Sequence, residues 1–363
     1  MRKIRDTTQI AFERVNYPVP SALTFKGFRR PLLAVNAKME TPVIYFYADE
    51  PLEAQVTVGW KGGSISQWYP RRSSGESPPA IRSASNSPEA TAFQRAGGID
   101  FDQPYKGSIT WDLTVGAKGD YDQAEVFKGN ETISWLHPRI PGTSLLTAGE
   151  KSESYLFYRG IGQLESGLTF SIDNDETLQI TNTFPHDIPF VMVFQNNHFQ
   201  VSSQSFTHGI QSQKSLTCAL PGLTHHEKNW QAQIYQKMRE GLVASGLFEA
   251  EAEGMIQTWW RSYFANPSFA GCPRVFWVMP TAQVDELLPL SITPRPDKLT
   301  RVLVGRAEIL TPSAEEQLLS SSEEANSLPH YHRFSRAYQH RIEQLKATAS
   351  VTIKNTLSAT QEK

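Results

Sequence analysis

The histidines of this chain are the residues best suited to hold a metal, and their spacing predicts no site. His330 and His332 lie two residues apart, and His332, Arg336 and His340 would share one face of a helix. A zinc site needs two imidazoles four residues apart, or a turn that gathers ligands within about 2.0–2.1 Å of the ion, and a third ligand. The residue four positions after His332 is an arginine, which repels a cation. We therefore expect a solvated basic helix face, with no metal and no cofactor.

The sequence carries none of the short motifs that mark common catalytic sites. It lacks G-x-S-x-G, H-E-x-x-H, the P-loop and G-x-G-x-x-G, so no nucleophile or phosphate loop is predicted. Glycoside hydrolysis, by contrast, needs only two carboxylates at a suitable separation, which no linear motif records. Whether the chain is an enzyme therefore stays open. The acidic residues available for such a pair include Asp100, Asp102, Asp112, Asp120, Asp173, Asp175 and Glu176, and the sequence prefers no two of them.

Tyr158 and Arg159 are candidate ligand-binding residues. Arg159 follows Tyr158 at the predicted end of a strand, where a guanidinium group can bind a carboxylate or sugar hydroxyls. The alternative, which we favour, is a charge pair with Glu40 or Glu153 that ties two strands together.

Trp68 and Tyr69 form a candidate carbohydrate platform. Adjacent residues of a strand point to opposite faces of a sheet, so one of the two rings must point away from the interior. Other tryptophans share a face with apolar neighbours and are predicted to be core: Trp60, Trp111 and Trp135.

Trp260 and Glu251 are the candidates in the second half of the chain. Both belong to a predicted helix whose apolar stripe ends in Trp259 and Tyr263. Trp260 falls on the edge of the stripe, and we expect it to contact the other half of the chain rather than a ligand. Glu251 flanks the stripe as a buried carboxylate of raised pKa or, more commonly, as one partner of a salt bridge on the helix surface.

A change of hydrophobic period near residue 205 predicts two bodies. Before it, period-two alternation recurs, as in Ala54, Val56 and Val58, and predicts nine or ten strands without helices. We expect an antiparallel β-sandwich over residues 1–205, with a barrel as the alternative. Residues 70–98 are rich in Ser, Pro and Gly and are predicted to be a mobile insertion loop.

Helical spacing dominates after the break, so the chain as a whole is predicted to be α+β. Thr224 and Glu227 have the spacing of a capping box, which predicts a helix from there to Gly246. A second helix, a short one before Pro289, one opened by Thr311-Pro312 and one over 331–346 follow, with strands at 275–279 and 301–310. The stretch 289–296 is predicted to be a rigid extended link. These elements make a mainly helical α+β domain over 220–348, or they complete the sheet of the first body; a flexible tail covers 349–363.

Charge and hydropathy restrict the partners and the compartment. A net charge of −2 gives no reason to expect nucleic acid binding, and no apolar run reaches the roughly 20 residues that span a bilayer. The first residues show no secretory signal, so the chain as given is expected to be cytoplasmic, or extracytoplasmic if an upstream signal peptide belongs to it. Cys218 and Cys272 do not reveal whether they pair.

Two classes of function follow from these patterns. We expect a non-catalytic binding or scaffold protein that recognises a protein or a glycan, because a strand-rich body often serves recognition. The alternative is a carbohydrate-active hydrolase with a carboxylate site between the two bodies. A structural protein of the cell envelope is a third interpretation.

Overall fold

The computed structural model describes residues 3–12, 37–39, 43–61, 63–75, 107–123, 136–162, 167–173, 176–197, 199–220, 222–225, 229–323, 338 and 341–347. These residues form a strand-rich α+β structure with several antiparallel sheets, which confirms the predicted class. The sandwich and its domain boundaries at 1–205 and 220–348 stay predictions.

The first half contributes strands β1 to β13 and one helical turn, α1. Their bounds are β1 Lys3–Phe12, β2 Ala37–Met39, β3 Val43–Tyr47, β4 Leu52–Gly59, β5 Gly63–Tyr69, β6 Ser74–Gly75, β7 Ser108–Lys118, α1 Asp120–Gln123, β8 Ser144–Ala148, β9 Lys151–Glu153, β10 Leu156–Gly162, β11 Leu168–Ile172, β12 Thr177–Asn182 and β13 Val191–Asn196.

The second half contains both strands and helices. Their bounds are β14 Gln200–Phe206, β15 Ser215–Ala219, β16 Thr224–His225, α2 Trp230–Ala244, α3 Glu249–Trp260, a π-helical turn Arg261–Ala265, a 3₁₀ turn Phe269–Gly271, β17 Arg274–Val278, α4 Thr281–Leu287, β18 Leu290–Thr293, β19 Lys298–Glu308 and α5 Pro312–Glu323. Residues 341–347 are also helical.

One large sheet contains strands from both halves of the chain. Its order is β16-β14-β13-β17-β19-β1, after which β1 pairs with both β2 and β3, these pair with β10, and β10 pairs with β5. The β1–β19 pair is parallel, whereas the others in this sheet are antiparallel. Strand β1 therefore joins the first-half strands to β19 and β17.

Two smaller antiparallel sheets contain β18-β4-β7-β8-β9, with β6 beside β7, and β11-β12-β15. Strand β18 pairs with β4 in the register Leu290↔Val58 to Thr293↔Gln55. The stretch predicted as an extended link is thus partly a hydrogen-bonded strand. The two predicted strands of the second half, at 275–279 and 301–310, pair in the large sheet with β13 and β1 of the first half, as in the alternative in which they complete a first-half sheet.

The main core includes side chains from the large sheet and from both smaller sheets. Alternation along β4 and β7 places Val56 and Trp111 inside together with Trp277 of β17. Burial of large aromatic side chains is among the strongest contributions to folding. The prediction that Trp60 and Trp111 are core residues is confirmed, whereas Trp135 lies outside the described residues.

A second core lies between the large sheet and the helical hairpin formed by α2 and α3. Ile234 and Met238 of α2 and Ile256 of α3 pack with Phe194 and Phe276 of the sheet. All five residues of β17 are buried, because helices cover one face of this strand and the main core covers the other.

The predicted helix start at Thr224 is wrong. Thr224 lies in β16, opposite Val201 of β14, and helix α2 begins only at Trp230 with Asn229 as its N-cap. A capping-box pattern is a local preference, and here pairing with the edge of β14 overrides it. The helix opened by Thr311-Pro312 is confirmed, since the Thr311 hydroxyl accepts a 3.2 Å bond from the amide of Ala314.

Several sequence predictions lie wholly or partly outside the described residues. These include His330, His332 and His340, the tail 349–363, and positions 76–98 of the predicted loop. Cys218 and Cys272 are buried free thiols, so they do not pair with each other. No helix in the parts of the chain that the structure describes is long and apolar enough to cross a membrane.

Candidate functional site

Tyr158 and Arg159 lie on opposite faces of β10. Tyr158 is fully buried in the main core, 6.5 Å from Trp111 between ring centroids. Arg159 is half-buried and stands opposite Gln67 of β5, next to an irregularity in the register. Tyr158 therefore serves packing, and of these two candidates only Arg159 reaches the surface.

Trp68 and Tyr69 also point to opposite faces, as the sequence predicts. Trp68 packs against the main core, and the guanidinium carbon of Arg72 lies 4.2 Å from the centroid of its ring. Tyr69 is 39% exposed and stands opposite Phe157. Tyr69 is thus the member of the pair that presents a ring to solvent.

A buried ion pair between Arg139 and Glu153 lies near Tyr69. The Arg139 Nη2 donates to Glu153 Oε2 over 2.6 Å, and its Nε lies 3.0 and 3.1 Å from the two oxygens. Burial alone would lower the pKa of Arg139, but hydrogen bonding and the charge of Glu153 raise it. Glu153 was one of the two partners predicted for Arg159. In the structure, Arg139 binds both carboxylate oxygens of Glu153.

Tyrosine rings surround this ion pair. Burial, followed by the charge of Glu153, raises the pKa of Tyr69, Tyr121 and Tyr155 above the ordinary value. The hydroxyl of Tyr45 donates a 2.7 Å hydrogen bond to the carbonyl of Pro138, and its ring meets Tyr155 edge-on at 6.2 Å. These hydroxyls stay protonated at neutral pH, and that of Tyr45 acts as a hydrogen-bond donor.

Glu251 is a buried carboxylate at the start of α3. Its Oε2 accepts a 2.6 Å hydrogen bond from the amide of Phe248, and its Oε1 accepts a 2.9 Å bond from the hydroxyl of Tyr47. The first contact is half of a capping box, with Glu251 at the third helical position. The second ties α3 to strand β3, so Glu251 has a structural role at the junction of the two halves.

Trp260 belongs to a half-buried group of rings that we call the aromatic patch, made of Trp230, Tyr235 and Trp260. The ring centroid of Trp260 lies 6.1 Å from that of Trp230 and 6.4 Å from that of Tyr235. Its third neighbour is Phe264 of the π-helical turn, at 5.1 Å. The patch therefore sits on the second core, at the end of the helical hairpin where α2 begins and α3 ends.

The geometry of the helical hairpin explains why Trp230 and Trp260 meet. Trp230 and Trp260 each lie fifteen residues from Ser245, which follows α2. In an antiparallel helix pair joined by a short link, residues equidistant from the link lie side by side. The contact between Trp230 and Trp260 was not predicted from the sequence, although this symmetry could have indicated it.

A second feature that the sequence missed is a group of buried charges, which we call the charge cluster: Arg274, Arg306 and Glu308. Glu308 Oε1 accepts bonds of 2.9 Å from Arg274 Nε and 2.5 Å from Arg306 Nη2. Burial would raise the pKa of Glu308, but the two guanidinium groups outweigh it and hold the pKa below its usual range. The available signal was the presence of two charged residues at alternate positions, Arg306 and Glu308, in the otherwise apolar segment 302–309.

The charge cluster also fastens the turn that follows α3. Arg274 Nη1 donates to the carbonyls of Tyr263 and Asn266, at 2.9 and 2.7 Å, and Arg306 Nη1 donates to the carbonyl of Ser262 at 3.1 Å. Glu308 neutralises only one of the two arginine charges. The carbonyls lie at the C-terminal, negative end of the helix dipole and therefore stabilise the other positive charge. The cluster thus compensates its net positive charge with backbone dipoles.

No family model matches this chain, and no curated protein matches it. Its function must therefore be argued from the residues and contacts described above. Among the described residues, no three His, Cys, Asp or Glu side chains come together as a metal site.

Proposed function

We propose that this chain is a non-catalytic binding protein that recognises a protein partner through the aromatic patch. The observation that carries the proposal is the contact of three half-buried rings, Trp230, Tyr235 and Trp260, at the end of the helical hairpin where α2 begins and α3 ends. Tryptophan, tyrosine and arginine dominate the energetically important positions of protein interfaces. The exposed Arg261 directly follows Trp260 and adds a charged group at the rim of the patch.

The arrangement of the rings favours a protein over a glycan. A sugar stacks on a ring face that is free of other contacts, whereas the Trp260 ring touches three neighbouring rings at tilts of 30° to 48°. The Trp68 ring has Arg72 over one face. The glycan interpretation therefore depends on the exposed Tyr69 and is the weaker branch.

The hydrolase alternative has one favourable observation. Glu153 and Glu251 are both buried, and both charges contribute to raising the pKa of Tyr45, after the larger effect of burial. A general acid or base must present a carboxylate oxygen to the substrate. Both oxygens of each carboxylate are already hydrogen-bonded within the protein, so this pair fits a structural role better than a catalytic one.

The experiment compares the wild-type chain with the double variant Trp230→Ser/Tyr235→Ser. Immobilised wild-type protein captures partners from an extract of the source organism, and a captured protein is identified, purified and titrated against each form. We expect the double variant to bind at least about 10-fold more weakly, because interface tryptophans and tyrosines each contribute on the order of 2 kcal/mol. Fractionation of the same cells tests the expected compartment.

The control variant is Phe248→Ser, which removes a ring that is 38% exposed in the link between α2 and α3, at the end of the helical hairpin opposite to the patch. It should bind the purified partner as the wild type does. Equal affinity of wild type and double variant would overturn the proposal. So would binding of an oligosaccharide from a glycan array that is lost in Tyr69→Ala and kept in the double variant.

A further inference from the structure

The end of the described chain is docked against the charge cluster. We call Tyr338 and residues 341–347 the C-terminal strap. The Tyr338 ring packs edge-on against Phe269 with centroids 5.5 Å apart, and its hydroxyl lies 3.4 Å from Glu308 Oε2. Arg341 pairs with Glu315 of α5, with 2.6 Å between Nη2 and Oε1. Contacts that hold the strap thus include an aromatic contact, a hydrogen bond, an ion pair and the buried Ile342.

The strap closes a small core of its own. Cys272 is fully buried there, among Leu310, Leu318 and Tyr338. Burial raises the pKa of the Cys272 thiol to about 11, so the thiol is protonated and unreactive while the strap is docked. Release of the strap would expose this thiol to solvent, which makes Cys272 a reporter of docking.

A continuous set of contacts runs from the strap to the aromatic patch. Tyr338 covers Glu308, and Glu308 binds Arg274 and Arg306. These arginines hold the carbonyls of residues 262, 263 and 266, in and just after the π-helical turn. In the same turn, Phe264 supports Trp260 at 5.1 Å.

We propose that docking of the C-terminal strap holds the π-helical turn in place and thereby controls the order of the aromatic patch. Charge–charge attraction weakens steeply when water replaces a low-dielectric environment. Release of Tyr338 therefore loosens the hold of both arginines on the turn. A π-helical turn is rare, and in this one the carbonyls of Ser262 and Tyr263 are bound by the two arginines. Calling the patch a binding site rests on the function proposed above, whereas the coupling itself does not.

The test uses the full chain without any partner and compares wild type with Tyr338→Ala/Arg341→Ala. Two quantities are measured: the rate at which a thiol reagent labels Cys272, and amide hydrogen exchange over residues 258–266. Both should rise by roughly 10-fold or more, because local opening controls each of them. Cys218, buried in the main core, is the internal reference, and its labelling rate should not change. Exchange over residues 109–115 of β7 should also stay constant.

The single variant Tyr338→Phe keeps the ring that covers Cys272 and Glu308 and removes only the hydrogen bond to Glu308. It therefore distinguishes the effect of the ring from that of the hydrogen bond. It should leave Cys272 protected and raise exchange over 258–266 by about 2- to 5-fold, since the loss of a hydrogen bond as long as 3.4 Å corresponds to the lower part of the usual range, roughly 0.5–1 kcal/mol. Faster labelling of Cys272 in the double variant with unchanged exchange over 258–266 would overturn the coupling. Unchanged labelling would overturn the docking.

If Cys218 labelling rises as well, the double variant is globally unfolded, and Tyr338→Phe then decides: unchanged exchange over 258–266 overturns the proposal. These readouts need no partner, so failure of the proposed binding function leaves them intact. Where a partner is known, the double variant should bind it more weakly than wild type. Equal binding would show that the strap does not regulate the patch.

Discussion

Tyr47 and Glu251 connect the strand-rich first half to the helical hairpin, through a 2.9 Å hydrogen bond between the tyrosine hydroxyl and the carboxylate. The same carboxylate holds the amide of Phe248 at 2.6 Å, and the Phe248 ring meets Tyr47 edge-on at 5.3 Å. Helix α3 therefore begins where it touches β3. One buried side chain therefore both caps the N-terminus of α3 and ties it to the sheet, beside the packing of the second core.

Replacement of Glu251 should cost more stability than replacement of its partner. We expect Tyr47→Phe to lower the free energy of unfolding by about 1 kcal/mol, and Glu251→Ala by roughly 2–3 kcal/mol, because the latter also removes the cap. A double-mutant cycle in urea should give a coupling of about 1 kcal/mol between the two. Glu249→Ala in the same helical turn is the control: its ion pair with Arg239 is exposed and is worth about 0.5 kcal/mol. Zero coupling would show that the hydrogen bond contributes nothing.

Glu308 is the negative member of a buried cluster with two arginines, so its charge should be essential for stability. We expect Glu308→Gln to lower the free energy of unfolding by about 3–5 kcal/mol, because Arg274 and Arg306 then lack a counter-charge. Chemical denaturation monitored by tryptophan fluorescence measures this loss. The control is Asp285→Asn, whose carboxylate is half exposed in its pair with Arg301. A smaller loss for Glu308→Gln than for Asp285→Asn would contradict the assignment.

The low pKa of Glu308 predicts an acid sensitivity that the Gln variant lacks. Because the folded pKa lies below the unfolded value of about 4.3, the stabilisation is complete above that value and disappears as the pH falls through the folded pKa. The difference in unfolding free energy between wild type and Glu308→Gln should therefore be constant from about pH 6 to 7 and shrink below about pH 4. A difference that grows as the pH falls would refute the ionised state of Glu308.

The sequence predicts the buried faces of this fold well, because burial of a strand face needs only alternation. Val56, Trp111 and the fully apolar segment 275–278 are buried as their patterns indicate. The order of the strands in a sheet cannot be predicted in this way, since it depends on contacts between residues that are distant in the sequence. Nothing in the local pattern of Lys3–Phe12 indicates that this strand pairs with β19 on one side and with β3 on the other.

For the candidate site residues, too, the sequence predicts the face on which a side chain lies but not the residues that it contacts. Alternation correctly indicates that Trp68 and Tyr69 point to opposite faces, and helical spacing places Trp260 at the edge of the buried stripe. Which side chains contact each other across two strands depends on the register of the pair, and that register is not visible in the local sequence. Glu308 meets Arg274 only because β17 and β19 pair with Arg274 opposite Glu308. The Thr224 helix start failed because a local signal competed with the edge of β14.

Gly305 is a position where the sheet tolerates no side chain. It stands opposite Trp277, and an added Cβ would lie 2.2 Å from the indole carbon Cε2. We expect Gly305→Ala to cost about 1–3 kcal/mol or more, because the rigid indole must move within a packed core. Gly222→Ala is the control, since its Cβ would meet no described atom within 4 Å, and it should change stability by less than about 0.5 kcal/mol. Thermal unfolding of both variants checks this, and similar midpoints would contradict the packing.

Replacement of Trp68 should lower the stability of the protein more than replacement of Tyr69, although the two residues are neighbours in one strand. Trp68 packs on the main core beneath Arg72, so Trp68→Ala should lower the free energy of unfolding by about 2 kcal/mol or more. Tyr69 is partly exposed and interacts mainly across the strand pair, so Tyr69→Ala should cost about 1 kcal/mol or less. Urea unfolding of the two variants measures both losses. If Tyr69→Ala were the more damaging change, the face of β5 assigned to the core would be the other one, and Trp68 would then be the ring available to a glycan.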